Sequence, residues 1–184
     1  PLRGFPLLSL IAFIPLFFVL EQIRAKPHRF RWLATFRYTY LAMFIWNLLT
    51  TWWIWHSTGM GAIFAVLFNS LFMALVVQFA AFTRSKINPA KGGHIILPVF
   101  WLAFEFGHQR WDLSWSWLDL GNVFATRIEF IQWYEYTGTE GGTLWIFLIN
   151  ILLFELIKGI FFNPVPKRTK NWLTGVFLFF LIVP

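Results

Sequence analysis

The residues in this chain that could do chemistry are few. Its 184 residues include eight acids, four histidines and no cysteine. Without a thiol, disulfides, iron–sulfur clusters, thiolate metal sites and a cysteine nucleophile are excluded within these residues. Glu105 and His108 stand three apart, the Glu-x-x-His spacing that di-iron bundles use in pairs. No second copy of that motif occurs, so neither a metal site nor any other cofactor is expected. Glu105 is the most informative acid because it lies near the end of an apolar run. An ionisable group at such a depth is costly and faces protein or a water-filled cavity. Two roles are open to it: a helix-end ion pair with Arg110 or His108, or contact with a substrate. Glu155 and Lys158, three apart on one helix, can neutralise each other. His56 and His94 have no recognisable ligand partners. No phosphate-binding glycine loop, zinc-protease motif or nucleophile elbow occurs, so no nucleophile–base pair can be assembled.

The elements that must position these residues are set by composition. Hydrophobic residues make up 58% of the chain, aromatics 22% and charged residues 12%. A soluble domain carries about 25% charged residues. Disorder, a coiled coil and most soluble domains are therefore excluded. The expected fold is an all-α integral membrane protein, a single bundle of about six transmembrane or partly membrane-embedded helices. The apolar runs place these at 5–23, 38–55, 62–83, 95–107, 143–162 and 172–184. Pro1 in place of Met, and an end inside an apolar run, lead us to expect a segment of a longer protein.

The net charge of +7 is not spread evenly. The loops 24–37, 84–94 and 163–171 hold most of the fifteen basic residues, among them Arg24, Arg31, Arg84 and Lys167. The positive-inside rule makes these three loops cytoplasmic and the segment 108–141 external. Cations serving as orientation signals argue against a nucleic-acid partner.

The outer segment 108–141 is too polar to span and too aromatic for a free loop. Its Trp111, Trp115, Trp117, Trp133, Tyr134 and Tyr136 suit the membrane–water interface, where amphipathic rings settle. An interfacial helix and the wall of a lipid-accessible cleft are compatible descriptions of it. Gly138, Gly141 and Gly142 read as a turn before the fifth span, with Thr143 as its cap.

The order of motifs carries a resemblance. FPLLSLIAFIPLFFVL opens the chain, and a span ends in Asn47 to Trp55. FWLAFEFGHQRW, SWSWLDLGN and IQWYEYTGTEGGTLWIFLIN follow. This order resembles the membrane part of the apolipoprotein N-acyltransferase family. The family's Trp–aromatic dipeptide corresponds to Trp52 to Trp55, and its Glu in an apolar run to Glu105. Its Trp-leucine-glycine segment corresponds to Trp117 to Gly121, and its Gly-x-x-Gly before an Asn-bearing helix to Gly138 to Gly141 with Asn150. The chain departs from the pattern at Ser116, Asn122 and Arg110.

The resemblance implies a multi-pass protein of the bacterial cytoplasmic (inner) membrane, with 108–141 periplasmic. It implies a nitrilase-like domain on the outer side whose Glu–Lys–Cys set takes an acyl chain from a phospholipid as a thioester. The chain then passes to the N-terminal lipid-modified cysteine of an apolipoprotein. Phospholipid donor, apolipoprotein acceptor and membrane lipid are the implied partners. No catalytic residue lies in this chain, so alone it is expected to be inert. Glu105, Trp115, Trp117, Asn122, Trp133 and Tyr136 are the residues expected to border the lipid cleft. A transporter fragment or a non-catalytic structural membrane protein is the rival. A transporter calls for mid-membrane charge, which the second and third spans lack.

Overall fold

A computed structural model describes residues 5–25, 30–87, 94–112, 114, 116–162 and 166–182. Among these residues the chain forms six α-helices and short 3-10 helices, with no strand. The helices are α1 (Ile14–Ala25), α2 (Arg31–Thr51), α3 (Gly59–Ile87), α4 (Ile96–His108), α5 (Tyr134–Phe161) and α6 (Lys167–Ile182). Three stretches are long and apolar enough to cross a bilayer: Pro6–Ala25, Gly59–Ile87 and Tyr134–Phe161. Ile96–His108 is apolar but shorter. The chain divides into two compact units, one running from Phe18 to Phe104 and the other joining the residues up to Phe17 with those from Glu105 onward.

In the Phe18–Phe104 unit, α2 packs directly on α3, and the 3-10 helix Trp52–His56 connects them. The buried residues of α2 are Thr35, Thr39, Met43, Asn47 and Thr51, one every fourth position. Its exposed positions include Tyr38, Leu41, Ile45 and Leu48. A helix with polar groups inward and apolar groups outward inverts the pattern of a water-soluble helix, and lipid is the solvent that favours it. The inward hydroxyls are satisfied within the helix: Thr39 donates to the Thr35 carbonyl at 2.8 Å and Thr51 to that of Asn47 at 2.5 Å. Between the helices, the Asn69 amide donates to Asn47 Oδ1 at 2.8 Å. The small buried residues Ala62, Ser70 and Ala74 of α3 allow close approach.

In the other unit, the 3-10 helix Pro6–Leu10 and the start of α1 pack on α5. Pro15 has no N–H to donate, so the chain cannot pass here as an uninterrupted helix. Asn150 of α5, fully buried, covers the break. Its Oδ1 accepts the Phe13 N–H at 2.9 Å, and its Nδ2 donates to the carbonyls of Ser9 at 2.8 Å and Ile146 at 2.9 Å. Phe13 packs on Phe147 around it, with ring centroids 4.6 Å apart. On another side of α5, Trp145 donates its indole N–H to the Phe180 carbonyl of α6 at 2.6 Å.

Candidate functional site: a platform held by Glu105

The aromatic segment after α4 folds into three short 3-10 helices, Ser116–Leu118, Leu120–Phe124 and Ile128–Phe130, before α5 begins at Tyr134. Short 3-10 turns leave backbone groups without partners inside the element. Buried ones need side-chain partners, and these partners build the site.

Glu105, three residues from the end of α4, is 2% exposed. Its Oε1 accepts the Leu120 N–H at 2.7 Å, at the start of the 3-10 helix Leu120–Phe124. This caps a helix N-terminus with a carboxylate, as the terminal N–H groups and dipole favour. Next along the chain, Gly121 N–H donates to Thr143 Oγ1 at 2.9 Å. The Gly121 carbonyl accepts the Tyr134 hydroxyl at 3.0 Å. A Cβ at position 121 would overlap the Thr139 carbonyl, so glycine alone fits. The dipeptide Leu120–Gly121 is therefore gripped by α4 through Glu105 and by α5 through Thr143 and Tyr134. Beneath it Phe124 is fully buried, 5.3 Å from the ring of Trp145.

Asp119 flanks the cap and is also buried. Its Oδ2 accepts the Gln109 amide N–H at 2.6 Å. Loss of water raises its pKa to about 6. The Gln109 hydrogen bond opposes that rise, and the charge of Glu140 adds to it. At neutral pH this carboxyl is close to titrating.

The six residues expected to border a cleft separate into groups. Glu105 and Asn122 meet at the platform, Asn122 through the 3-10 helix, where its N–H donates to the Asp119 carbonyl at 3.0 Å. Trp133 is half-buried, 4.8 Å from Tyr134 and 6.1 Å from Trp145, and its indole N–H donates to the Phe130 carbonyl. Trp117 and Tyr136 are exposed, at 63% and 86%. Trp115 lies outside the described residues.

Of the two roles open to Glu105, neither includes the backbone cap. Arg110, one candidate for its ion pair, lies over the Phe106 ring at 3.4 Å and donates to the Phe106 carbonyl at 2.6 Å. His108 Nδ1 accepts the Trp111 indole N–H at 3.0 Å. Thr143 differs from its expected place as well. It lies inside α5, fully buried, and acts across to Gly121 rather than at its own helix start. α5 is two helical stretches joined across a kink at Gly138, whose φ of +68° suits glycine, and Thr143 lies inside the second. Gln109, Asp119 and Tyr134 complete the platform and were not singled out as site residues. Tyr134 was visible as an interfacial ring; Gln109 and Asp119 carried no signal beyond their place in segment 108–141.

Among the described residues no group of three or more His, Asp or Glu is placed to hold a metal ion. What the platform can do is hold a rigid, aromatic-bearing segment at one end of α4 and α5.

An all-α membrane protein with an aromatic-bearing platform is the class that this fold and site define. The description "Apolipoprotein N-acyltransferase N-terminal domain" matches residues 1–152, and the chain belongs to that family. An apolipoprotein N-acyltransferase of Chlorobaculum tepidum is 30% identical over 179 residues, covering 96% of this chain and 31% of that protein. Another protein of that name, from Geobacter metallireducens, is 30% identical over 78 residues, 42% of this chain and 15% of that one. The chain thus spans a third or less of the length of the curated relatives it matches. No solved structure matches it significantly.

Proposed function

We propose that this chain is the membrane scaffold of an apolipoprotein N-acyltransferase. The whole enzyme would take an acyl chain from a phospholipid and pass it to the N-terminal lipid-modified cysteine of an apolipoprotein, through a thioester on another domain. The observation that carries the reading is the bond from Glu105 to the Leu120 N–H. It ties two family motifs, FWLAFE and SWLDLGN, into one unit within a chain that the family covers over most of its length. Glu105 and Asn122 build the platform in this proposal. Trp115, Trp117, Trp133 and Tyr136 offer rings to acyl chains and head groups at the interface. The chain alone is inert because it brings no thiol.

The proposal sets the protein in the bacterial inner membrane as six spans, with loops 24–37, 84–94 and 163–171 cytoplasmic and 108–141 periplasmic. It is tested in the full-length protein by acyl transfer to an apolipoprotein from phospholipid in vesicles. Trp117→Ala and Tyr136→Ala expose no core, so both should accumulate normally while acyl transfer falls several-fold. Normal transfer by both would remove these rings from the site.

A further inference from the structure

The 3-10 helix Trp52–His56 turns the chain from α2 into α3, and its side chains sort to opposite sides. Ile54 is buried, while Trp52, Trp53 and Trp55 are exposed, as is Met60 at the start of α3. The rings are placed by their neighbours. Trp52 meets the His56 ring edge-on, with centroids 5.7 Å apart. Trp55 lies over Gly59, where a Cβ would stand 3.5 Å from its ring. The tip is also without formal charge, since no Lys, Arg, Asp or Glu occurs from 38 to 83.

The indole N–H groups add a second demand. Trp111, Trp133 and Trp145 each donate to an acceptor within the protein. No described residue accepts from Trp52 or Trp55. Three surroundings are open to such a tip, and two are unfavourable. Water solvates the N–H groups but leaves four large apolar side chains exposed on one turn. Hydrocarbon takes the rings but offers the N–H groups no acceptor. The head-group zone of a bilayer has phosphate and ester-carbonyl oxygens above apolar chains, and it answers both demands.

Helix length carries the tip to that zone. α3 is long and apolar enough to cross a bilayer, and α2 packs on it. Arg31 begins α2 and Lys86 lies near the end of α3, both exposed, so cations mark the end of the pair opposite the tip. Trp32, next to Arg31 in the chain, is exposed as well. From Trp32 to Trp52 the helix rises about 30 Å, the thickness of the hydrocarbon core. From Lys86 to Gly59 it rises about 40 Å, the thickness with both head-group zones included. Arg37, also exposed, lies about 9 Å along the helix from Arg31, within the reach of a snorkelling side chain.

We infer that the Trp52–Met60 tip is an interfacial anchor whose partner is the phospholipid head-group zone of one leaflet. Trp52 and Trp55 donate to phosphate or ester-carbonyl oxygens, and Trp53 and Met60 rest on the upper part of the acyl chains. The tip thereby fixes the depth of α2 and α3 in the bilayer, with Trp32 in the opposite leaflet. This role is separate from acyl transfer.

The test is photo-crosslinking of the full-length protein in phosphatidylcholine nanodiscs, followed by peptide mapping by mass spectrometry. One set of nanodiscs carries a diazirine on the lipid head group, the other on the end of an acyl chain. Residues 52–60 should take several-fold more label from the head-group probe. The exposed middle of the helices, at Leu41, Ile45, Leu67 and Phe68, should show the reverse. Trp52→Phe with Trp55→Phe keeps the aromatic area and removes both N–H groups, so the tip's preference for the head-group probe should fall several-fold as it sinks. Chain-end labelling of the tip equal to that of the helix middle would overturn the assignment, because the tip would then lie in hydrocarbon. So would the absence of both labels at the tip while the helix middle is labelled, the outcome if water or another protein covers it. An unchanged preference in the double variant would overturn donation by the indoles.

Discussion

Removing the Glu105 carboxylate should loosen one short segment far more than the rest of the protein. Glu105 is 2% exposed and its Oε1 holds the Leu120 N–H at 2.7 Å. In Glu105→Ala that N–H stays buried without this acceptor, at a cost of about 1–3 kcal/mol. Glu105→Gln keeps a carbonyl oxygen of nearly the same reach and at this bond gives up the charge assistance, about 1 kcal/mol. Amide hydrogen exchange converts these costs into rates, because each 1.36 kcal/mol of opening free energy is tenfold. With about 2 kcal/mol for the alanine variant, exchange across residues 119–124 should quicken about 30-fold, and about fivefold for glutamine. Peptides from α2 and α3, in the other unit, should exchange as before. The assay is exchange by mass spectrometry on the full-length protein in detergent. Equal exchange at 119–124 in wild type and Glu105→Ala would refute the capping role. So would glutamine and alanine variants that behave alike.

Three further outcomes follow from neighbouring geometry. Asp119 is held at a pKa of about 6, above the ordinary carboxylate value, chiefly by burial, so the folded state favours its protonated form. Protection of residues 119–124, corrected for intrinsic exchange, should be greatest below about pH 4 and fall as pH rises through about 6. The change is on the order of 2 kcal/mol, and Asp119→Asn should flatten it. Asn150→Ala strips partners from the Phe13 N–H and the Ser9 carbonyl, two buried groups at about 1–3 kcal/mol each. Thermal unfolding followed by tryptophan fluorescence should show a clear loss, and an unchanged midpoint would contradict the role given to Asn150. Arg84→Gln takes the guanidinium from Glu21 and leaves it the His94 ring at 3.5 Å, so it should destabilise more than the double variant Arg84→Gln, Glu21→Gln. A thermal double-mutant cycle should give a coupling of about 1–3 kcal/mol, and additive effects would speak against the pair.

Family membership and helical class were both legible in the sequence, because each depends on local runs. A stretch such as 62–83 is apolar whatever its neighbours do, and lipid forces such a stretch to be helical. Glu105 was also visible, because a carboxylate in an apolar run stands out against its surroundings. Its partner was not. A backbone N–H at Leu120 looks like any other in a sequence, and only the fold brings it to α4 across fifteen residues. Thr143 shows the same limit: a threonine after two glycines reads as a cap, but the helical stretch after the kink at Gly138 already includes it, and its hydroxyl serves Gly121. Arg84 and His94 read locally as a loop cation and an isolated histidine. Tertiary packing turned them into a buried cluster with Glu21, sixty-three residues from Arg84. The sequence by itself determined the all-α membrane class and which residues are chemically conspicuous, since composition and spacing are properties of neighbours along the chain. Which conspicuous residue meets which silent backbone group was decided only in three dimensions, because hydrogen bonds and charges act through space.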